Sequence, residues 1–336
     1  AVAAAAARDD RRLRVRAADL GEEAEFDLDH PGRPRRGDWR DYVEGVARSL
    51  ELRGARLRGA DVVLTSSVPR GAGLSSSAAV EVSVGFALAT LSDAEVSLID
   101  IALAGQRAEH EWAGANVGIM DQFVAALGRR GHALLIDCRS LEARSVPLDT
   151  SEVVVAVCDT HVRHALAASA YNERRAECER GVELLRAAMP EIKALRDVSV
   201  TEFERYENLL PEPVRRRVRH VVTENERTLA AAEALRKNDL WEMGRLMDRS
   251  HRSLRDDYEV SSTELDAMVE IAGNFGGVLG ARMTGGGFGG STVNLVRRDA
   301  VAEFRETVER EYNRATGLPA TVLVSEPGDG AGEIEG

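Results

Sequence analysis

The spacing of hydrophobic and polar positions along this chain changes period several times, and each change predicts an element. Within residues 1–30, short alternating stretches such as Arg12-Leu-Arg-Val-Arg16 and residues 23–28 predict exposed strands, because a period of two puts apolar side chains on one face. Pro31-Gly-Arg-Pro34 marks a turn. Residues 38–50 read as an amphipathic helix with Asp38 as its cap. A strand-like run, Asp61-Val-Val-Leu-Thr-Ser-Ser67, then leads through a glycine–serine turn into a largely apolar, helix-length run over 78–91. A second helix is predicted over about 93–112, and 132–138 and 152–159 read as core strands. From 164 to 272 the pattern is mostly helical, with breaks at Pro190 and Pro211-Glu-Pro213. Strands at 278–283 and 291–296 flank a second glycine-rich turn, and a helix near 301–315 and a strand at 320–324 follow. Strands and helices interleave irregularly, with no repeat, which predicts an α+β fold of two domains, 1–150 and 151–336. Residues 326–332, rich in glycine, predict a flexible tail.

Composition narrows the classes of function. At 336 residues the chain is long enough for two domains with ordinary cores. A net charge of −12 argues against the basic stripe of a nucleic-acid-binding surface. It leaves nucleotide binding open, since backbone amides and a metal hold phosphates inside acidic proteins. No apolar stretch reaches membrane-spanning length, and the opening Ala1-Val-Ala-Ala-Ala-Ala-Ala-Arg8 is too short for a signal peptide and lacks its basic region. That opening has no methionine and reads as the middle of an element, as in a fragment. Cys138, Cys158 and Cys178 show no metal-type pairing and read as reduced thiols of a cytoplasmic protein. No nucleic-acid or membrane partner is expected, and the chain is expected to be a monomer.

The candidate chemistry begins in the first glycine turn, Gly71-Ala72-Gly73-Leu74-Ser75-Ser76-Ser77. Glycines let a backbone approach a ligand closely, and hydroxyls followed by a helix N-terminus make an anion site. An ordinary helix cap needs only one serine. The chain has only two lysines, Lys193 and Lys237, neither near this loop, so it is not a Walker-type P-loop. Glu109 stands near the end of the second predicted helix, where a lone glutamate is usually a solvated surface group. Asp121 has close apolar neighbours on both sides, as a helix cap or a buried ion pair would, or a functional carboxylate. A carboxylate and a serine beside phosphates suit magnesium, and a second carboxylate near an acceptor hydroxyl can take its proton. The turn containing Gly285, Gly286 and Gly287 reads either as a glycine-rich hairpin or as close backbone packing against the first loop or a ligand. Tyr171 reads as helical, in a core or in a pocket. The histidines show no metal-ligand spacing.

Taken together, these segments resemble the GHMP small-molecule kinase superfamily, and within it the branch that phosphorylates galactose. The resemblance is carried by Gly-Ala-Gly-Leu-Ser-Ser-Ser-Ala-Ala over 71–79, Gly118-Ile-Met-Asp-Gln-Phe123, residues 132–140, Tyr171-Asn-Glu-Arg-Arg-Ala-Glu-Cys178, residues 250–258 and residues 282–290. It spans essentially the whole chain. It implies an N-terminal domain like ribosomal protein S5 domain 2 and a ferredoxin-like C-terminal domain. It implies ATP and Mg2+ as cofactors and transfer of phosphate to the anomeric hydroxyl of D-galactose. An N-acetylated hexosamine substrate, or a catalytically silent sugar and ATP sensor, remains open as an alternative. By the same resemblance residues 71–77 wrap the ATP phosphates and Ser77 and Glu109 bind magnesium. Asp121 acts on the sugar hydroxyl, Gly118 and Tyr171 touch the sugar, and residues 285–287 support the phosphate loop. The family's first motif, of the type Arg-x-Asn-Leu-Ile-Gly-Glu-His-Thr-Asp-Tyr, is expected before residue 1. A chain without it is expected to lose roughly 10³-fold or more in rate and to leave a sheet edge exposed.

Overall fold

The computed structural model describes residues 1–70, 73–163 and 167–334. The chain forms two compact units, Ala1–Val146 with Pro327–Gly336, and Pro147–Glu326.

In the first unit the strands β1 (Val2–Ala7), β2 (Arg12–Ala17) and β3 (Glu22–Asp27) precede the helix α1 (Trp39–Leu52). There follow β4 (Ala60–Thr65), the helices α2 (Ser76–Leu91), α3 (Leu98–Ala108) and α4 (Met120–Leu127), and the strands β5 (His132–Asp137) and β6 (Glu142–Pro147). The main sheet has the order β1-β4-β2-β3, with β2 and β4 parallel and the outer pairs antiparallel. Alternation explains its faces: Leu13, Val15, Val62 and Leu64 are buried while Arg12, Arg14 and Arg16 are exposed. Helices α1 to α4 bring Val46, Leu50, Leu88, Ile101 and Phe123 into the same core. Helix α1 starts where its cap predicts, with Asp38 accepting from the Arg40 amide at 3.0 Å.

The alanine-rich opening, within the region where strands are expected, is strand β1; alanine is a poor strand former, and pairing with β4 along all six residues overrides that preference. Three expectations are corrected here. The second helix begins at Leu98 rather than near 93, because Asp93 has a left-handed φ of +49° and Ser97 supplies the cap, accepting from the Asp100 amide at 3.1 Å. Residues 327–331 are not a loose tail. Gly330 donates to the Gly128 carbonyl at 2.8 Å, Ala331 to Ala126 at 3.2 Å, and Asp329 pairs with Arg130. Strand β5, read as a core strand, pairs only with β6 and is half-buried along its length.

In the second unit β7 (Val153–Arg163) is followed by α5 (Ala167–Leu185), α6 (Val200–Tyr206), α7 (Val214–Arg236), α8 (Leu240–Ser253) and α9 (Thr263–Gly273). Strands β8 (Val278–Thr284) and β9 (Gly289–Arg297), helix α10 (Val301–Thr316) and strand β10 (Thr321–Ser325) complete it. The sheet order β10-β7-β9-β8 is antiparallel throughout, the split β-α-β-β-α-β arrangement of ferredoxin-like folds. Phe304, Val308 and Tyr312 of α10 and Met268 and Ala272 of α9 pack on this sheet, and α5 to α7 build a separate helical core around Leu185, Phe203 and Val218.

Candidate active site

The chain enters α2 with Gly73 at φ +72° and Ser75 at φ +55°. Left-handed geometry is costly for serine and recurs where a backbone is held for function. Ser75 stands at the cap position without any cap hydrogen bond from its side chain, so the end of α2 keeps the anion-binding character of uncapped first-turn amides. A Cβ at Gly73 would meet nothing within 4 Å, which leaves the loop open on that side. Leu74, Ser76 and Ser77 are half-buried; Gly71 and Ala72 lie outside the described residues. Behind this end the helix is apolar around its circumference apart from one charged residue, Glu81.

Glu109 follows α3 directly and opens a π-helical turn over Glu109–Ala113, a local widening common at functional sites. It is not a solvated surface glutamate, being only 5% exposed. The turn closes at Gly114 (φ +80°), with the Ala115 amide bonded to the Glu109 carbonyl at 2.9 Å. Gln106 and His110 both reach the Val117 carbonyl, at 3.2 and 2.8 Å, and so fix the path to Gly118. Gly118 is exposed and a Cβ there would meet nothing within 4 Å, which leaves room for a ligand. Asp121 stands half-buried in the first turn of α4, where the helix dipole favours a carboxylate. Neither an ion pair nor a side-chain hydrogen bond engages it among the described residues.

Electrostatics group these side chains. Burial pushes the Glu109 carboxyl above its ordinary range and Asp121 adds to the shift, while a hydrogen bond from the Ser77 hydroxyl and the neighbouring His110 oppose it. Burial pushes Glu81 up much further; the charges of Glu109 and Asp121 add to the rise, and a hydrogen bond from Gln122 opposes it. Tyr42 of α1 is likewise raised, by burial first and then by Glu109 and Glu81. Ser77, Glu109 and Asp121, which lie far apart in sequence, are therefore neighbours in the first unit.

Glu81 and Gln122 escaped the sequence reading. Glu81 is fully buried (0% exposed) and accepts from Gln122 Nε2 at 3.2 Å. Gly105 of α3 makes the space, since a Cβ there would come within 3.0 Å of Glu81 Oε2 and 3.1 Å of Gln122 Cγ. A signal was present: a helix so largely apolar packs into a core, and Glu81 is the one charge it carries.

In the second unit, Tyr171 on α5 is 39% exposed, so it is not a core residue. A Cβ on Gly286 would come within 3.7 Å of its ring. Gly285 (φ +77°) and Gly287 (φ +85°) need left-handed backbone. A Cβ at Gly287 would strike the Val260 carbonyl at 2.2 Å, and the Phe288 amide donates to that carbonyl at 2.7 Å. At this position the close packing is against the unit's own backbone.

Comparison with known proteins places this arrangement in a family. The models for the GHMP kinases N terminal domain and the GHMP kinases C terminal domain match residues 41–129 and 231–314. A galactokinase of Chloroflexus aggregans is 51% identical over 97% of this chain and 84% of its own length. One from Roseiflexus sp. is 48% identical over 98% of this chain and 84% of its own length. The crystal structure of Lactococcus lactis galactokinase complexed with galactose superposes with a TM-score of 0.91 at 36% identity, covering 99% of this chain and 86% of that one. A homoserine kinase from Cytophaga hutchinsonii, at 16% identity over 98% of this chain and 86% of its own, shares the fold with a TM-score of 0.63. With half its residues identical to curated galactokinases along nearly its whole length, the chain belongs to the galactokinase family of the GHMP kinases.

Proposed function

We propose that the chain transfers the γ-phosphoryl group of ATP to the anomeric hydroxyl of D-galactose, releasing ADP and galactose 1-phosphate, in the cytoplasm. The observation that carries this reading is the convergence of the uncapped end of α2, Ser77, Glu109 and Asp121 in the first unit. The residues at 71–77 hold the nucleotide phosphates through backbone amides and hydroxyls, with no lysine required. Asp121 orients the sugar hydroxyl and takes its proton as the oxygen attacks the γ-phosphorus and the bond to the β-phosphate oxygen breaks. Gly118 leaves space for the sugar.

Magnesium fits the same donor set. No three His, Cys, Asp or Glu side chains among the described residues are placed to hold a metal by themselves. Mg2+ characteristically takes one or two protein oxygens, with phosphates and water completing its shell. Ser77 and Glu109, neighbours in the first unit, would supply two hard oxygens, and the ion would neutralise charge developing on the phosphates. The cytoplasmic assignment rests on three unpaired thiols, of which Cys158 is buried. No helix among the described residues is long and apolar enough to cross a membrane.

The test is a panel of sugars with coupled detection of ADP. Galactose should be the preferred acceptor, and preference for an N-acetylated hexosamine, or binding of galactose without release of ADP, would overturn the assignment. Asp121→Asn should lower kcat on the order of 10³-fold while nucleotide still binds. Unchanged turnover in that variant would remove Asp121 from the chemistry.

A further inference from the structure

The least explained group in either unit is Glu81. A carboxyl with no exposure carries a desolvation penalty that a leucine or methionine in the same place would avoid. It receives one hydrogen bond, and its Oε1 and the Oε1 of Gln122 have no partner. Such a pair is weak support for stability, so its value lies elsewhere.

Its position suggests what it does. Glu81 lies one turn beyond Ser77 on the same face of α2, the helix whose first turn belongs to the phosphate loop. Gln122 is the immediate neighbour of Asp121 in the first turn of α4. The bond between them is the only side-chain hydrogen bond joining α2 to α4 among the described residues. Gly105 on α3 gives up its side chain to let the pair meet.

We propose that Glu81 is a positioning residue: paired with Gln122, it ties the phosphate-loop helix to the catalytic helix and sets where Asp121 stands relative to the transferred phosphoryl group. The inference rests on the kinase reading above. In its neutral form Glu81 can donate from Oε1 to Gln122 Oε1 while accepting from Gln122 Nε2, a reciprocal acid–amide pair that satisfies both unpartnered atoms at once. Two parallel bonds also fix both side-chain rotamers, which a single bond does not.

Steady-state kinetics of Glu81→Ala, Glu81→Gln and Gln122→Met on folded, full chain test the tether, together with amide exchange in the first turn of α4. Loss of the tether misplaces Asp121 without touching either ligand. Glu81→Ala and Gln122→Met should therefore lower kcat on the order of 10²-fold with little change in either KM. Glu81→Gln, which can make the same two-bonded pair, should restore most of that loss. Exchange at 121–124 should rise in the first two variants and stay low in the third. A purely structural role would lower melting temperature and leave kcat per folded molecule alone, and that result overturns the proposal. So does a Glu81→Gln variant as impaired as Glu81→Ala, which would mean the charge itself matters. If Glu81→Ala does not fold, Gln122→Met, which keeps volume, decides the question by the same kcat and exchange criteria. Asp121→Asn serves as the control for the kinase reading itself: unchanged turnover there condemns that reading, while altered exchange at 121–124 in the tether variants reports on Glu81 independently of turnover.

Discussion

Each unit buries a cluster of charged side chains, and the two are built on opposite principles. In the second unit Arg217 of α7 is 2% exposed and every arm of its guanidinium is matched. Nε donates to Glu177 at 2.7 Å, Nη1 to the Asp257 carbonyl at 2.7 Å and Nη2 to Glu259 at 2.6 Å. Opposite charges meet and the donors are used up. In the first unit Glu81, Glu109 and Asp121 bring like charges together, with one amide and one serine hydroxyl to moderate them. A saturated cluster ties α5, α7 and the turn after α8 into one body. An unsaturated one keeps binding capacity in reserve, and pushes carboxyl groups upward in pKa as functional sites do. Burial by itself does not separate structure from function; the count of matched partners does.

Replacing Glu109 by glutamine should break the comparison most visibly. The change removes a buried charge from a crowd of carboxylates, so the protein should melt at a higher temperature while the magnesium dependence of activity moves to higher concentration, by at least about 10²-fold. A magnesium titration of initial rate, run beside a thermal melt, reads both. An unshifted titration would remove Glu109 from the metal site, whatever happens to the melt.

The matched cluster should respond the other way. Arg217→Met leaves Glu177 and Glu259 without their buried partner, and removal of one member of such a set costs about 3 kcal/mol here, at the lower end because Glu259 is partly exposed. Urea unfolding measures the loss, and kcat per folded molecule should stay at its original value. A large fall in kcat at unchanged stability would mean that the saturated cluster also takes part in turnover.

What could be read from the sequence follows the same division between local and distant causes. The cap at Asp38, the glycine–serine turn into α2, the alternation in β2 and the apolar run of β7 are visible because neighbouring residues decide them. Strand β1 was not visible, since six alanine-rich residues become a strand only by pairing with β4, more than fifty residues away. The same is true of the returning segment around Gly330, fixed by backbone bonds to α4's end. At the site, the phosphate loop announced itself through residue types alone. The roles of Glu109 and Asp121 came from family resemblance, because burial of a helical glutamate depends on what packs over it. Glu81 was missed for that reason, although the largely apolar sequence of α2 marks it as a core helix carrying a single charge.

The last test separates the clusters by pH. His220 of α7 stacks on Tyr258 at 4.5 Å and shares a hydrogen bond with Ser253 at 3.0 Å, at the margin of the matched cluster. Burial lowers its pKa from 6.5 to about 4; Arg227 and Arg282 push the same way, and Glu224 and Asp257 push back. A histidine held neutral by the fold contributes stability that is present above pH 6.5 and lost as the pH falls toward 4. The loss is on the order of 3 kcal/mol for a shift of this size. Glu81 has the opposite sign: its raised pKa gives stability that is complete below the ordinary carboxylate value of 4.5 and declines as the pH rises through and above it. Urea midpoints of wild type, His220→Gln and Glu81→Gln between those limits should therefore diverge in opposite directions. On acidification the wild type loses ground against His220→Gln and gains it against Glu81→Gln. Parallel slopes for the two variants would show that the clusters do not differ in the way their partners imply.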